Sequence, residues 1–413
     1  MSNYDKIILH SDVNNFYASV EMRLNPELRD KAVAVCGKVE DRHGIVLAKS
    51  NIAKEAGVKT GETIWQARLK CPSLIVVPPH YSHYTKFSNI IFNIYTHYTN
   101  LVEPFGLDEC WLDVTSSQKL YGSGEEIAKK ISAEVLEKTG LTISIGVSFN
   151  KIFAKLGSDM KKPAGITVID KNNYKNKVWP LPVKDLLMIG KATEKKLNLL
   201  NLKTIGDIAT ANVDLLKEQF GINGIKLYNF ANGKSEEEVK DCFNRHIPES
   251  VGHGTTPPKD IETLEEGKIV IYALCEMIST RLRKYGLNAS GVALSIKYPD
   301  LTSITRQTTL DFHTSNTNDI ANAAISILNK YHDFKISSLR AITVSAFKLL
   351  SKKESKQLSL FTNDIDKEDD LENCVDDIRC KYGFNKIVRG NQLLRPILTS
   401  RLLNDEDFLP FKK

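Results

Sequence analysis

VEPFGLDECWLDVT, residues 102–115, is a hydrophobic run with an adjacent acidic pair, Asp108 and Glu109, at its centre. A buried strand tolerates acids poorly unless they are paired or bound to a cation. Consecutive strand residues point to opposite faces, so Asp108 and Glu109 converge on one site only at a hairpin end or a bulge. Gly106, just before them, supplies a bend. Outward from this run, KIILHSD (6–12) reads as a buried strand ending on Asp12, LTISIGVSF (141–149) as another strand, and 124–138 as a helix. That order predicts an α+β layer with an antiparallel sheet and helices on one face. Taken singly, Asp12 reads first as a strand-end cap and Asp108-Glu109 as a turn. Together, at the ends of neighbouring strands, Asp12, Asp108 and Glu109 make a hard-oxygen site suited to Mg²⁺. Two such ions about 4 Å apart stabilise attacking and leaving oxygens in phosphoryl transfer. Asp113 is expected to be structural.

Helical patterning is read at 16–23, at 46–56 up to Gly57, and at 64–70 up to Pro72. Residues 74–77 form a strand ahead of Pro78 and Pro79, and 82–101 a long aromatic-rich helix. A helix at 151–161 is closed by Pro163 and Gly165, with a short strand at 166–170. Residues 176–242 are helical and short-looped. Residues 243–350 suggest a second α+β unit, with strands near 291–298 and 340–348 and helices near 264–285 and 317–330. From 351 the chain is polar and charged, as in a linker.

The 413 residues suggest two to four domains. With 42% hydrophobic and 26% charged residues, a fibrous or disordered chain is excluded. No apolar run approaches membrane-span length, and the N-terminus is no signal peptide. Seven cysteines, an odd number without C-x-x-C spacing, read as reduced cytosolic thiols. The net charge of +6 is spread over the first 350 residues and absent after them. That suits a long polyanion-binding groove, and an ordinary solvated surface equally well.

SDVNNFYASVE (11–21), FGLDECWLDV (105–114) and SIGVSFNKIFAKLGSDMKKPAG (144–165) resemble the three signature stretches of the Y-family (DinB/UmuC-type) translesion DNA polymerases. The resemblance runs from residue 7 to about 348. It implies a right-hand polymerase: a ferredoxin-like palm with small fingers in 1–175 (fingers about 24–80), a helical thumb with a helix-hairpin-helix in 176–242, and an α+β little finger in 243–350. It further implies a low-fidelity, template-directed enzyme that extends primer–template DNA with deoxynucleoside triphosphates past damaged bases. Two Mg²⁺ ions would be held by Asp12, Asp108, Glu109 and the Val13 carbonyl. Many members carry a third acid where this chain has Asn14. Asn15, Phe16, Tyr17, Ser50, Lys54 and Lys162 would bind the nucleotide, with Tyr17 as the steric gate against a ribose 2′-hydroxyl. Lys54 stands where many relatives have arginine, and Asn51 where they often have tyrosine. Small residues at Ala48, Ser50 and Ala53 would leave the lid over the nascent base pair roomy.

In the thumb, LLMIGKATEKKLNLLNLKTIGDIA (186–209) looks like the helix-hairpin-helix, with Gly190, Lys191 and Lys195 at a DNA phosphate. FGINGIK (220–226) is a candidate companion hairpin. Arg245, Lys297, Arg306 and Arg340 are candidate phosphate contacts in the little finger. QLSLF (357–361) matches the peptide by which bacterial polymerases dock on the sliding clamp, through Gln357, Leu358, Leu360 and Phe361. The stretch after it resembles the tail of UmuC-like members. A monomeric, cytoplasmic, nucleoid-associated bacterial enzyme is the expectation. A nucleotidyl cyclase would need neither the hairpin nor the clamp peptide, and a non-catalytic DNA-binding protein with a palm-like domain would not need three intact acids.

Overall fold

The computed structural model describes residues 5–37, 44–235, 237–244, 247–352 and 365–399. The chain forms two compact units, residues 1–36 with 46–245 and residues 246–406. The first is built on a five-stranded sheet whose strands lie in the order Val102–Pro104, Glu109–Asp113, Ile8–Val13, Ile143–Ser148, Ile166–Ile169. The first three pairings are antiparallel and the last is parallel. The expected all-antiparallel sheet is therefore corrected to a mixed one. The helix Lys151–Met160 crosses between the last two strands, as a parallel pairing requires.

Helices also cover both faces, not one. Every residue of Ile8–Val13 is buried. Leu9 and Val13 pack with the helices Tyr81–Tyr98 and Gly124–Thr139, whereas Ile8 packs with Trp111 and with Ala154 of the crossover helix. The acidic run opens as a hairpin, with Gly106 at φ 100° in its turn and Glu109 first on the returning strand.

Two smaller cores complete this unit. Ala32, Ala34, Cys36, Val46, Ala53, Ala67 and Leu74 close over a three-stranded sheet formed by Val46–Lys49, Val33–Cys36 and Ile75–Val77. The helix expected over 46–56 shrinks to Asn51–Glu55, because Val46–Lys49 finds a strand partner and Ser50 caps the helix that follows. Short helices from Tyr174 to Ala231 pack around Leu186, Leu197, Ile208, Leu216 and Phe230.

The second unit is a four-stranded antiparallel sheet, in the order Ser303–Thr314, Leu287–Lys297, Ala341–Ser351, Ser250–Thr255, under the helices Leu264–Tyr285 and Thr317–Tyr331. Two of these strands escaped the sequence pattern. SITRQTTLDFHT is exposed along most of its length, so no apolar alternation marks it. SVGHGT has two glycines in six residues.

The segment after 365 is not set apart. Its helix Ile365–Tyr382 lies against Leu264–Tyr285, where Arg283 binds Glu372 and Asp376, and Glu276 pairs with Arg379 and accepts bonds from Arg389 and Gln392. Leu398 joins the core of this unit.

Candidate active site

Strand register decides which acids meet. Asp12 sits opposite Glu109 and His10 opposite Trp111, so all four point to the face covered by the crossover helix. Asp108 stands one residue before the strand, and its carbonyl accepts the Val13 N–H at 3.0 Å. The hairpin end thus lets two consecutive acids approach one site, as alternation within a strand would forbid. Asp12 is buried, and Asp108 and Glu109 are half-buried.

Charge is crowded there. Burial, opposed by Lys162 and reinforced by Glu109 and Asp108, pushes the Asp12 carboxyl up to about 7. Burial and then the Glu109 charge push Asp108 up to about 6. Burial would raise Glu109 too, but the neighbouring His10 and Lys155 outweigh it and hold that carboxyl down at about 2. Lys162 Nζ donates to Asp12 Oδ2 at 2.6 Å and lies 2.8 Å from Asp159, and Lys155 Nζ donates to Glu109 Oε2 at 2.7 Å. Among the described residues, no three His, Cys, Asp or Glu side chains are already arranged around one point for an ion. The donor chemistry fits a hard divalent cation nonetheless: clustered carboxylate oxygens, two of the groups pushed toward protonation by burial and then by neighbouring acids, gain most from added positive charge.

Beside the carboxylates, Phe16 is buried in the core while Tyr17 is half-buried. The Tyr17 ring stacks on Tyr84 with centroids 4.2 Å apart and meets Tyr81 edge-on at 6.0 Å. Tyr84 is fully buried and anchored by its hydroxyl on Glu21 at 2.5 Å. Burial and then the Asp108 charge push the Tyr17 hydroxyl up to about 12, which places that ring in the field of the acidic site. Asn15, at φ 50°, donates to Asn51 at 2.7 Å and so ties the start of the Tyr17 helix to the helix carrying Lys54. Asn14 is held by Thr142 and Ser144 hydroxyls.

This arrangement has relatives. The impB/mucB/samB family matches residues 11–159, and the C-terminal domain of that family matches 248–360. DNA polymerase IV of Acetivibrio thermocellus is 47% identical over 390 residues, covering 93% of this chain and 97% of that one. DNA polymerase IV 1 of Bacillus subtilis is 39% identical over 396 residues, covering 95% of this chain and 94% of that one. Among solved structures, a Y-family DNA polymerase chimera built from Dbh and Dpo4 segments superposes with a TM-score of 0.73 at 25% identity, covering 84% of this chain and 99% of its own. The chain belongs to the impB/mucB/samB family, the Y-family DNA polymerases. Membership implies a divalent metal cofactor and DNA and nucleotide substrates.

Some expected nucleotide contacts of this Y-family chain need correction. Ser50 is buried, accepts from Val33 and Ala53 backbone N–H groups and donates to the Lys31 carbonyl, so its hydroxyl is consumed within the fold. Ala53 is buried in the same small core. Of the three small residues expected at the lid, only Ala48 stays partly open; Lys54 is exposed.

The expected DNA contacts also sort by geometry. Gly190 caps the helix Lys191–Leu199 with open space where a Cβ would stand, and Lys191 and Lys195 follow on that helix. Phe220, Gly221 and Ile222 join two helices through Gly221 at φ 63°. In the C-terminal sheet, Lys297 shares a face with Ser295, Thr305, Thr343, Gly252 and Gly254, the face away from the two helices. Arg306 pairs with Leu294 on the opposite side, with its guanidinium over the Tyr331 ring at 5.3 Å. Arg306 therefore does not share the open face, and Arg340 stands one residue before its strand. Arg245 and the peptide 357–361 lie outside the described residues.

His10, Ser158, Lys155, Tyr84 and the glycine- and hydroxyl-rich open face were not singled out from sequence. The signal for His10 and Tyr84 was their apolar surroundings, which mark burial and say nothing of direction. No helix among the described residues is long and apolar enough to cross a membrane.

Proposed function

We propose that this Y-family chain is a template-directed translesion DNA polymerase that holds two Mg²⁺ ions on Asp12, Asp108, Glu109 and the Val13 carbonyl. The observation that supports it is the convergence of Asp12 and Glu109 in one register position, with Asp108 at the hairpin end beside them. When bound, the cations neutralise phosphate charge and lower the barrier to attack by the primer 3′-hydroxyl. The three carboxylates fix where that attack takes place. Lys162 trades Asp12 for the incoming triphosphate, a swap between two anions that a flexible lysine makes at little cost. Tyr17, backed by the buried Tyr84, presents a ring that cannot retreat from a 2′-hydroxyl. Lys54 is the second triphosphate contact.

The functional division is palm and fingers to 175, thumb over 176–242, and little finger from 243, with the docked tail counted in the last. Duplex phosphates meet the Gly190 helix start, and the open face of the C-terminal sheet is a separate phosphate-binding surface. Its glycines and hydroxyls admit a backbone closely without reading bases. Grip of this kind weakens steeply with salt. QLSLF docks on the sliding clamp, and the enzyme works as a monomer in a bacterial cytoplasm at the nucleoid. Extension of a primer across undamaged and damaged templates, wild type against Asp108→Ala with Glu109→Ala, tests the proposal. Wild-type extension past lesions that the double variant lacks supports it, and a wild type that extends nothing overturns it.

A further inference from the structure

We propose that His10 is a positioning residue for Glu109, its Nε2 fixing the direction in which that carboxylate meets a divalent cation. The inference rests on the reading of Glu109 as a metal ligand and goes beyond the carboxylates themselves. His10 is wholly buried, two residues before Asp12 and on the same face as Asp12 and Glu109. Its ring is held from two sides. Nδ1 lies 2.8 Å from Ser158 Oγ, whose hydroxyl donates to Nδ1 when Nε2 carries the ring proton and otherwise to the Lys155 carbonyl at 2.7 Å, and the ring meets Trp111 edge-on at 5.2 Å. Nε2 lies 3.2 Å from Glu109 Oε2 without an aligned hydrogen bond. A buried ring nitrogen is costly to leave unmatched. A histidine that served only packing would have no reason to aim its second nitrogen at this carboxylate.

The two groups on Glu109 therefore do different work. Lys155 brings charge on a long stem that can swing. His10 cannot swing, so a small rotation of Glu109 brings it into line with Nε2 and defines one orientation. Groups that hold a ligating carboxylate from behind sustain metal affinity about 10- to 100-fold.

The test is Mn²⁺ binding followed by electron paramagnetic resonance, with primer–template and a non-hydrolysable deoxynucleotide analogue present. It compares wild type, His10→Leu, His10→Gln, Ser158→Ala and Asp108→Ala. His10→Leu should weaken Mn²⁺ about 10- to 100-fold with DNA affinity unchanged. His10→Gln, whose amide N–H reaches the place of Nε2, should recover most of the loss. Ser158→Ala, which frees the ring, should fall between wild type and His10→Leu. A folded His10→Leu that binds Mn²⁺ like wild type while Asp108→Ala does not overturns the inference, as does a His10→Gln no better than leucine. If His10→Leu does not fold, unchanged Mn²⁺ binding in Ser158→Ala overturns it. Asp108→Ala binding Mn²⁺ like wild type overturns instead the underlying reading of the metal site.

Discussion

Replacing Arg283 by methionine tests whether the C-terminal segment is part of the second unit. The Arg283 side chain is 8% exposed; its Nε bonds Asp376 at 2.6 Å and its other arm Glu372. Methionine keeps the length and the apolar stem but strands two carboxylates, 14% and 18% exposed, one helical turn apart. Breaking a buried ion pair costs about 3–5 kcal/mol. Because water reaches both acids in part, and Thr280 still donates to Asp376 at 2.8 Å, the lower end applies. A loss of about 3 kcal/mol lowers the melting of a unit of about 150 residues by roughly 6–12 °C. Scanning calorimetry should show that shift in one transition only. Hydrogen exchange should show lost protection over 366–382, with the Ile8–Val13 strand unmoved. Unchanged melting and unchanged tail protection would refute the reasoning, and so would equal destabilisation of both units.

Asp12 and Asp108 have raised carboxyl pKa values, so the fold alone binds more protons than the unfolded chain between about pH 4 and 7. They therefore cost stability as pH rises through that window, and Mg²⁺ offsets the cost once they are ionised. The gain in melting temperature on adding Mg²⁺ should be larger at pH 8 than at pH 6; an equal gain at both would contradict the assignment. Tyr17→Ala should cut discrimination against ribonucleotides about 100-fold or more in single-nucleotide insertion, because Tyr84 gives the ring no retreat. Deleting 357–361 should lower processivity with a loaded clamp while sparing clamp-free extension; equal loss in both would end the tether reading.

What the sequence revealed depends on what each residue has to do. The acids were legible because Asp12, Asp108 and Glu109 fall together at the ends of neighbouring strands, and Gly106 announced the hairpin that lets Asp108 and Glu109 converge. The long helices at 124–138 and 264–285 showed their apolar stripes and are present as Gly124–Thr139 and Leu264–Tyr285. Ser50 misled because motif position says nothing of direction: its hydroxyl turns inward to cap a helix and bind Val33. Ser303–Thr314 stayed hidden because it is mostly exposed and lacks the apolar alternation that reveals a strand. The docked tail was illegible for a related reason. Its anchor is the set of charges on Glu276, Arg283, Arg379 and Arg389, and charges in a polar stretch look like solvent-facing residues until their partners, about a hundred positions away, are seen.

The central claim is that Asp12, Asp108 and Glu109 do the chemistry through bound cations. Its most direct test is single-turnover insertion of one nucleotide by wild type and Asp12→Asn, at saturating nucleotide and Mg²⁺. The substitution keeps the shape and removes the charge. The account predicts a fall of about 1,000-fold, equivalent to about 4 kcal/mol of transition-state stabilisation, with DNA affinity retained. Insertion by Asp12→Asn within tenfold of wild type would contradict it.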